Sequence, residues 1–323
     1  GACHGYLIGE PHRGLACMFQ MMNEARIMIG ANGVSTASVA YQQSLIYAKE
    51  RPQGRRPGST GTQIPIIEHD DVKRMLMRQK AIVEGGMSVV VTAAYYSDLA
   101  MHGSDEAERG KAKLILDLLT PIAKSFPAEK GFEANALALQ IHGGYGYSTE
   151  YLPESWLRDQ KLNSIHEGTT GIQSLDLLGR KVVAKGGQAM VEFSLLLGKT
   201  CVEAHGRGLP SFADALEKSL KEVVSCTQSL AALGMRGQPS EMLRHSADYL
   251  DMFSTLVVAW QLLLRASTAK KALASGAGDE HFYQGKILAA QYWFASEVPR
   301  IGQLAKLCQE NDDSYSAMNE ASF

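Results

Sequence analysis

The sequence predicts an all-α protein, and three observations predict it. Apolar residues recur at steps of three and four over several long segments, Gly, Pro and Asp clusters interrupt those segments at helix-scale intervals, and no region carries a strand-rich pattern. The 323 residues are 45% hydrophobic and 20% charged, enough to bury one large core or two modest ones and too apolar for a disordered chain.

The first helix is expected from Leu15 to Glu50, ended by the Pro- and Gly-rich run Arg51 to Gly58. Small residues at Gly30, Gly33, Ala37 and Ala40 leave its middle open to close approach by another helix. A second helix runs from about Glu68 to Met101 and stops at Gly103-Ser104-Asp105. A third covers roughly Ala107 to Ile141, with a kink or break expected near Pro121 or Pro127. The loop His142 to Tyr147 closes it, and Pro153 suits the first position of a short helix reaching Lys161.

Thr170-Gly171-Ile172-Gln173 has the T-x-x-Q form of a capping box, followed by Ile172, Leu175, Leu178 and Val182 on one face. Glu167 therefore lies just upstream of a helix start. After about Lys185 the pattern changes to long amphipathic segments. Phe212, Leu216, Leu220, Val223, Cys226, Leu230 and Leu233 form one stripe, and further helices are expected from Pro239 to Ser275 and from Asp279 to Cys308, with Pro299 perturbing the last. The polar tail from Asn311 to Phe323 is expected to fray. The whole reads as a helical bundle followed by a second bundle-like module.

Lys and Arg total 32 against 34 for Asp and Glu, a formal charge of -2 without a long block of one sign, so a general nucleic-acid-binding surface is not expected. The most apolar stretch, Leu256 to Leu264, contains Gln261, ends at Arg265 and falls short of the ~20 residues a membrane span needs. Cys3, Cys17, Cys201, Cys226 and Cys308 are odd in number and scattered, which suits free thiols and a cytoplasmic setting. The opening Gly5 to Gly9 reads as a short strand without a partner, so the chain is expected to be the C-terminal portion of a longer protein.

Several residues could carry chemistry. A carboxylate before a helix N-terminus is favoured as an anion, so Glu167 could serve as a base while Gly168, Thr169 and Thr170 leave backbone donors open; the alternative is that Glu167 caps the helix and His166 only packs. Gly143-Gly144-x-Gly146 lacks the preceding strand of a dinucleotide fingerprint, and no His, Cys or Asp spacing points to a metal. A buried Arg26 needs an anionic partner, from the protein or from substrate. Arg51 and Gln53 could contact phosphates from their loop.

Taken together, these segments resemble the C-terminal half of the acyl-CoA dehydrogenase family over Gly5 to about Val183. The resemblance rests on Met22-Asn23-Glu24-Ala25-Arg26, Glu50-Arg51-Pro52-Gln53-Gly54, Gln140-Ile141-His142-Gly143-Gly144-Tyr145-Gly146, and Arg158-Asp159 leading to Ile165-His166-Glu167-Gly168-Thr169. It implies a four-helix bundle over 14–185, preceded by a β-domain remnant at 1–13 and followed by a helical extension over 186–323. It also implies an FAD-dependent enzyme that forms the α,β-double bond of an acyl-CoA thioester, with Glu167 as the base. By the same resemblance Arg26, His166 and Gly168 serve the substrate side, while Arg51, Gln53, Gln140, Gly144 and Thr169 serve FAD, partly across the interface of a homodimer or homotetramer. Electron-transfer flavoprotein is the implied acceptor.

His166 stands where the family usually has tyrosine, Gly171 where it has glutamate, and Gln53 is followed directly by Gly54. Some members place the base immediately before the first-helix arginine; here that position is Ala25, and Glu24 faces about 100° away. The His166 to Gln173 segment with a helical extension resembles the branch that includes methylthiopropionyl-CoA dehydrogenases. The weighed alternatives are a non-dehydrogenating flavoprotein homologue of the alkylation-response type and a non-catalytic helical interaction module. Alone, this chain is expected to bind FAD poorly and turn over little.

Overall fold

The computed structural model describes residues 1–276 and 278–323, leaving aside the side chains at positions 16, 19 and 20. Three long helices come first: α1 (Gly14–Glu50), α2 (Asp70–His102) and α3 (Glu106–His142). They pack on one another in pairs, and the short α4 (Pro153–Leu162) and α5 (Thr170–Asp176) lie against α3. Among the described residues there is no β-strand, only an isolated bridge between Pro52 and Pro65. The expected strand at Gly5 to Gly9 is absent: the segment is exposed and without regular structure, since no neighbouring edge pairs with it.

The small residues of α1 meet α3 as expected. A Cβ on Gly30 would overlap the Ala123 carbonyl, and one on Gly33 would stand 2.9 Å from that of Pro127. Pro127 has no N–H to offer Ala123 four residues earlier, so the two helices touch where α3 has lost an internal hydrogen bond. Of the expected kink or break, the break does not occur; α3 is continuous through Pro121 and Pro127.

The second half comprises α6 (Gln188–Gly206), α7 (Pro210–Met235), α8 (Pro239–Leu243), α9 (Ser246–Ala274), α10 (Glu280–Ser296) and α11 (Arg300–Glu310). The helix expected from Pro239 to Ser275 is divided at Arg244-His245, because both residues are occupied in holding the chain end: Arg244 donates to the Asn311 carbonyl at 2.7 Å and His245 Nε2 lies 2.9 Å from that of Asp312. The last helical segment breaks before Pro299 as expected.

The two halves share one core. Val34, Ile82 and Phe126 belong to the same buried cluster as Phe253 and Trp293, and a Cβ on Gly85 would meet Val258 at 2.6 Å. Charges reinforce the seam in a closed ring. Arg78 pairs with Glu133 at 2.6 Å and Glu297 at 2.5 Å, Arg300 joins Glu297 and Asp251 at 2.9 Å each, and Lys130 reaches Asp251 at 3.7 Å and Glu133 at 3.9 Å. At the centre lies α9, which is long and apolar enough to cross a membrane by length and composition, a point the nine-residue apolar count had missed. Its most apolar window is 83% buried inside the molecule, the pattern of a core helix.

Candidate functional site

The sequence-predicted residues fall into two groups. The first surrounds a cleft of about 850 Å³ where the end of α1 faces the end of α3. On one wall the Arg51 N–H closes α1 by donating to the Tyr47 carbonyl at 2.9 Å, and the loop then folds back on itself: Gln53 N–H donates to the Ile64 carbonyl at 2.9 Å and Ile66 N–H to that of Arg51 at 2.8 Å. His69 Nε2 lies 2.8 Å from the Gln53 carbonyl, and Gly54 takes the left-handed φ of 72° that this return requires.

The other wall is the α3 terminus. The buried His142 ring stacks on Tyr47 at 4.4 Å and has its Nδ1 2.8 Å from the Ala138 carbonyl; burial pushes its pKa below the ordinary value. Arg51, Gln53, Gln140 and Gly144 all line this cleft, although they are about 90 residues apart in sequence. The Arg51 guanidinium lies 5.3 Å from the Tyr145 ring centroid, and its Nε is buried without a hydrogen-bond partner. An unpaired charged donor in a cleft with neighbouring open backbone at Gly143 and Gly144 fits a phosphate-bearing, acceptor-rich ligand. A helix, not a strand, precedes these glycines, so this is not a Rossmann loop.

The second group is the turn between α4 and α5. Here Glu167, His166, Gly168 and Thr169 are contiguous, and none lines the cleft. Glu167 has φ of 54° and Gly168 of 89°, two successive left-handed residues. For glutamate that conformation costs on the order of 1 kcal/mol and must be held by its surroundings. The holder is Gln173: its buried side-chain amide donates to the carbonyls of Glu167 at 3.1 Å and Gly168 at 3.4 Å. A Cβ on Gly168 would stand 2.8 Å from that amide nitrogen.

The cap is therefore not the one read from the sequence. Thr169, rather than Thr170, accepts from the Ile172 N–H, at 3.4 Å, while the Thr170 hydroxyl donates to Glu129 on α3. Burial acts to raise the Glu129 carboxyl, but the Thr170 hydroxyl and the Lys161 ammonium outweigh it and leave it below its usual value. His166 uses Nδ1 on the Leu162 carbonyl at 2.8 Å. The apolar stripe that begins in α5 is buried only at its far end, at Leu178 and Val182. Ile172 and Leu175 are exposed, and the buried positions are Gln173, Ser174 and Asp176 with Leu177 and Leu178.

Asp176 explains Arg26. The arginine is 2% exposed and pairs with Asp176 at 2.8 Å, while Arg180 holds the other carboxylate oxygen at 2.9 Å. The anionic partner required by burial is thus a protein side chain that joins α1 to α5. Glu24 is exposed and lines a different cavity with Asn23, Lys113 and Asp117.

Sequence reasoning missed Gln173 as an anchor, although the T-x-x-Q pattern had marked it. It missed Lys124, Glu129 and Asp176 entirely. The available signal for Lys124 was a charge amid the apolar run Leu118, Leu119, Ile122, Ala123 and Phe126.

Residues 12–182 match the family described as acyl-CoA dehydrogenase, C-terminal domain, and residues 193–319 match acetyl-CoA dehydrogenase C-terminal like. The chain is 38% identical over 301 residues to a 3-methylmercaptopropionyl-CoA dehydrogenase of Ruegeria pomeroyi, covering 91% of this chain and 50% of that protein. It is 32% identical over 335 aligned positions to a broad-specificity linear acyl-CoA dehydrogenase of Mycobacterium tuberculosis, covering 99% of this chain and 54% of that protein. It spans about half the length of the curated relatives it matches. A crystal structure of an acyl-CoA dehydrogenase complexed with FAD from Bacillus anthracis shares the fold, with a TM-score of 0.74 at 23% identity over 93% of this chain and 51% of that one.

Proposed function

This chain belongs to the acyl-CoA dehydrogenase family, and from that premise we propose that its protein forms the α,β-double bond of an acyl-CoA thioester, with Glu167 as the base that removes the α-proton. The carrying observation is the strained turn: a glutamate at φ of 54°, pinned by Gln173, immediately before α5. Strain of this kind persists where the surrounding structure over-determines it, as catalytic positions do.

In this reading the Glu167 carboxylate takes the α-proton, and the Glu167 N–H, which has no backbone acceptor among the described residues, donates to the thioester oxygen as enolate charge develops. Holding both groups on one residue fixes the distance between base and oxyanion donor before substrate arrives. His166 and Gly168 line the substrate side, and Arg26 supports the turn indirectly by fastening α5 to α1.

FAD is the cofactor of this reading, and the cleft residues fit it: Arg51 offers an unpaired buried Nε, and Gln53, Gln140 and Gly144 share the same space. Arg51, Gln53, Gln140 and Gly144 would hold the adenosine and phosphate portions, with Thr169 contributing from the other group. Bound FAD supplies the acceptor for the hydride leaving the β-carbon.

The proposal extends to a homodimer or homotetramer, which the exposed Gln140 and Gly144 support by facing outward at the cleft. It includes electron-transfer flavoprotein as the acceptor and a cytoplasmic setting. The division into 1–13, 14–185 and 186–323 belongs to it too, supported by left-handed Lys185, Gly186 and Gly187 at the second boundary.

Anaerobic flavin reduction in the whole, flavin-loaded protein tests the reading. Short-chain, long-chain and methylthiopropionyl-CoA are compared with native enzyme and Glu167→Gln. Bleaching by one thioester that is lost in the variant supports it; no bleaching with any thioester overturns it.

A further inference from the structure

Three cations converge on a single carboxylate at the seam between the two halves. Lys80 and Glu84 lie one turn apart on α2, Arg265 is on α9 and Lys286 on α10. The Lys80 and Lys286 ammoniums both donate to Glu84 Oε1, at 2.5 and 2.7 Å, and the Arg265 guanidinium stands 3.7 Å from Oε2. Among the described residues none of the three cations pairs with any other carboxylate. The four side chains therefore carry three positive charges and one negative.

Burial makes that imbalance matter. The Glu84 and Lys286 side chains are each 12% exposed, Lys80 is 20% and Arg265 32%, so water screens the cluster only in part, and the exposed portions of Lys80 and Arg265 give it an opening to solvent. Burial, together with the Lys80 and Arg265 charges, holds the Lys286 amine below its ordinary value although Glu84 opposes the fall. Lys286 also lies 4.3 Å from the centroid of the exposed Phe282 ring, an attraction that orients the amine but adds no counter-charge.

The donors are not used up either. Each ammonium has three N–H groups and gives one to Glu84. Arg265 donates from Nη1 to Ser88 Oγ at 2.9 Å, while its Nε is buried without a hydrogen-bond partner.

We propose that Lys80, Arg265 and Lys286 form a binding site for a phosphate group, in which Glu84 spaces the cations and the phosphate supplies the negative charge that one carboxylate leaves wanting. Phosphate fits the donor set because it carries about −1.5 to −2 charge at neutral pH and presents three oxygens to donors arriving from three helices. A carboxylate ligand would bring one charge and two oxygens. None of the four residues lines the cleft at the ends of α1 and α3 or belongs to the α4–α5 turn, so the site is separate from the proposed reaction.

Calorimetric titration of inorganic phosphate into the full chain, at constant ionic strength and in an Arg51→Met background that keeps the cleft from competing, tests the site. Saturable binding with a Kd of about 1 mM or tighter is expected, and acetate is expected to bind at least about tenfold more weakly. Lys286→Met and Lys80→Met should each weaken phosphate about fivefold or more, with Lys286→Arg close to native. Glu84→Gln removes the competing anion and should tighten phosphate about threefold or more, a direction opposite to that of a merely structural ion-pair network. Phenyl phosphate is run beside the free ion; tighter binding of the ester assigns the site to an organic phosphate, equal or weaker binding to the free ion, and either supports it. The proposal is overturned by absence of saturation up to about 20 mM phosphate, by acetate that binds as well, by a Kd that both lysine variants leave unchanged, or by a folded Glu84→Gln chain that binds phosphate no better than native.

Discussion

The buried Gln173 amide donates to the Glu167 carbonyl at 3.1 Å, so a side chain inside α5 holds the turn that precedes that helix. The hydrogen bond acts on the Glu167 backbone and not on its carboxylate. Replacement of Gln173 by Leu keeps the volume nearly constant and removes the donor. Flavin reduction in the whole protein is expected to fall about tenfold or more, because a base displaced by a fraction of an ångström loses its alignment, while stability falls by only about 1–2 kcal/mol. Single-turnover flavin bleaching beside a urea unfolding curve separates the two effects.

Gly168 has two reasons to be glycine. Its φ is 89°, and a Cβ there would stand 2.8 Å from the Gln173 amide nitrogen. Gly168→Ala is expected to lower stability by about 1–3 kcal/mol and to weaken the Gln173 anchor together with it. The urea midpoint of Gly168→Ala, compared with that of Gly168→Ala in a Gln173→Ala background, checks this: the second substitution relieves part of the cost.

The buried pair between Arg26 and Asp176 is expected to be strongly non-additive. Asp176→Asn alone strands the buried Arg26 charge and costs about 3–5 kcal/mol, Arg26→Met leaves Asp176 paired with Arg180 and costs less, and the double variant costs clearly less than their sum. A double-mutant cycle by urea unfolding measures the difference.

Lys124 makes a pH-dependent prediction for stability. Its folded-state value of about 8 lies below the usual lysine value of 10.5, so between those values the unfolded chain binds the proton more readily and stability rises with pH. Lys124→Met is expected to stabilise the chain at pH 7 by on the order of 2 kcal/mol, a gain that shrinks as pH rises through about 8 toward 10.5. Thermal midpoints of both proteins from pH 7 to 10 decide it; a constant gap contradicts the assignment.

The course of the chain was largely legible from the sequence. The starts and stops of α1, α2, α3 and α4 lie within about two residues of expectation, because apolar periodicity and Pro or Gly punctuation are local signals. The same locality explains the errors. Pro121 and Pro127 announce a kink or break, yet α3 continues through both, and the Ala123 carbonyl that Pro127 leaves without its helical donor packs against α1 at Gly30. The division of the helix at Arg244-His245 depends on a chain end about 67 residues away, which no local window contains.

The candidate site divides in the same way. The sequence alone determined that Glu167 sits before a helix, that Arg26 needs an anion, and that Arg51, Gln53, Gln140 and Gly144 belong together through a family resemblance. Only the tertiary structure decided that the anion is Asp176, that Gln173 anchors the turn, that one cleft joins the ends of α1 and α3, and that Lys124 lies buried with its Nζ unpartnered. Periodicity reports which face of a helix is apolar, but the partner of a buried charge depends on which elements converge in space, and that is settled only when the helices pack.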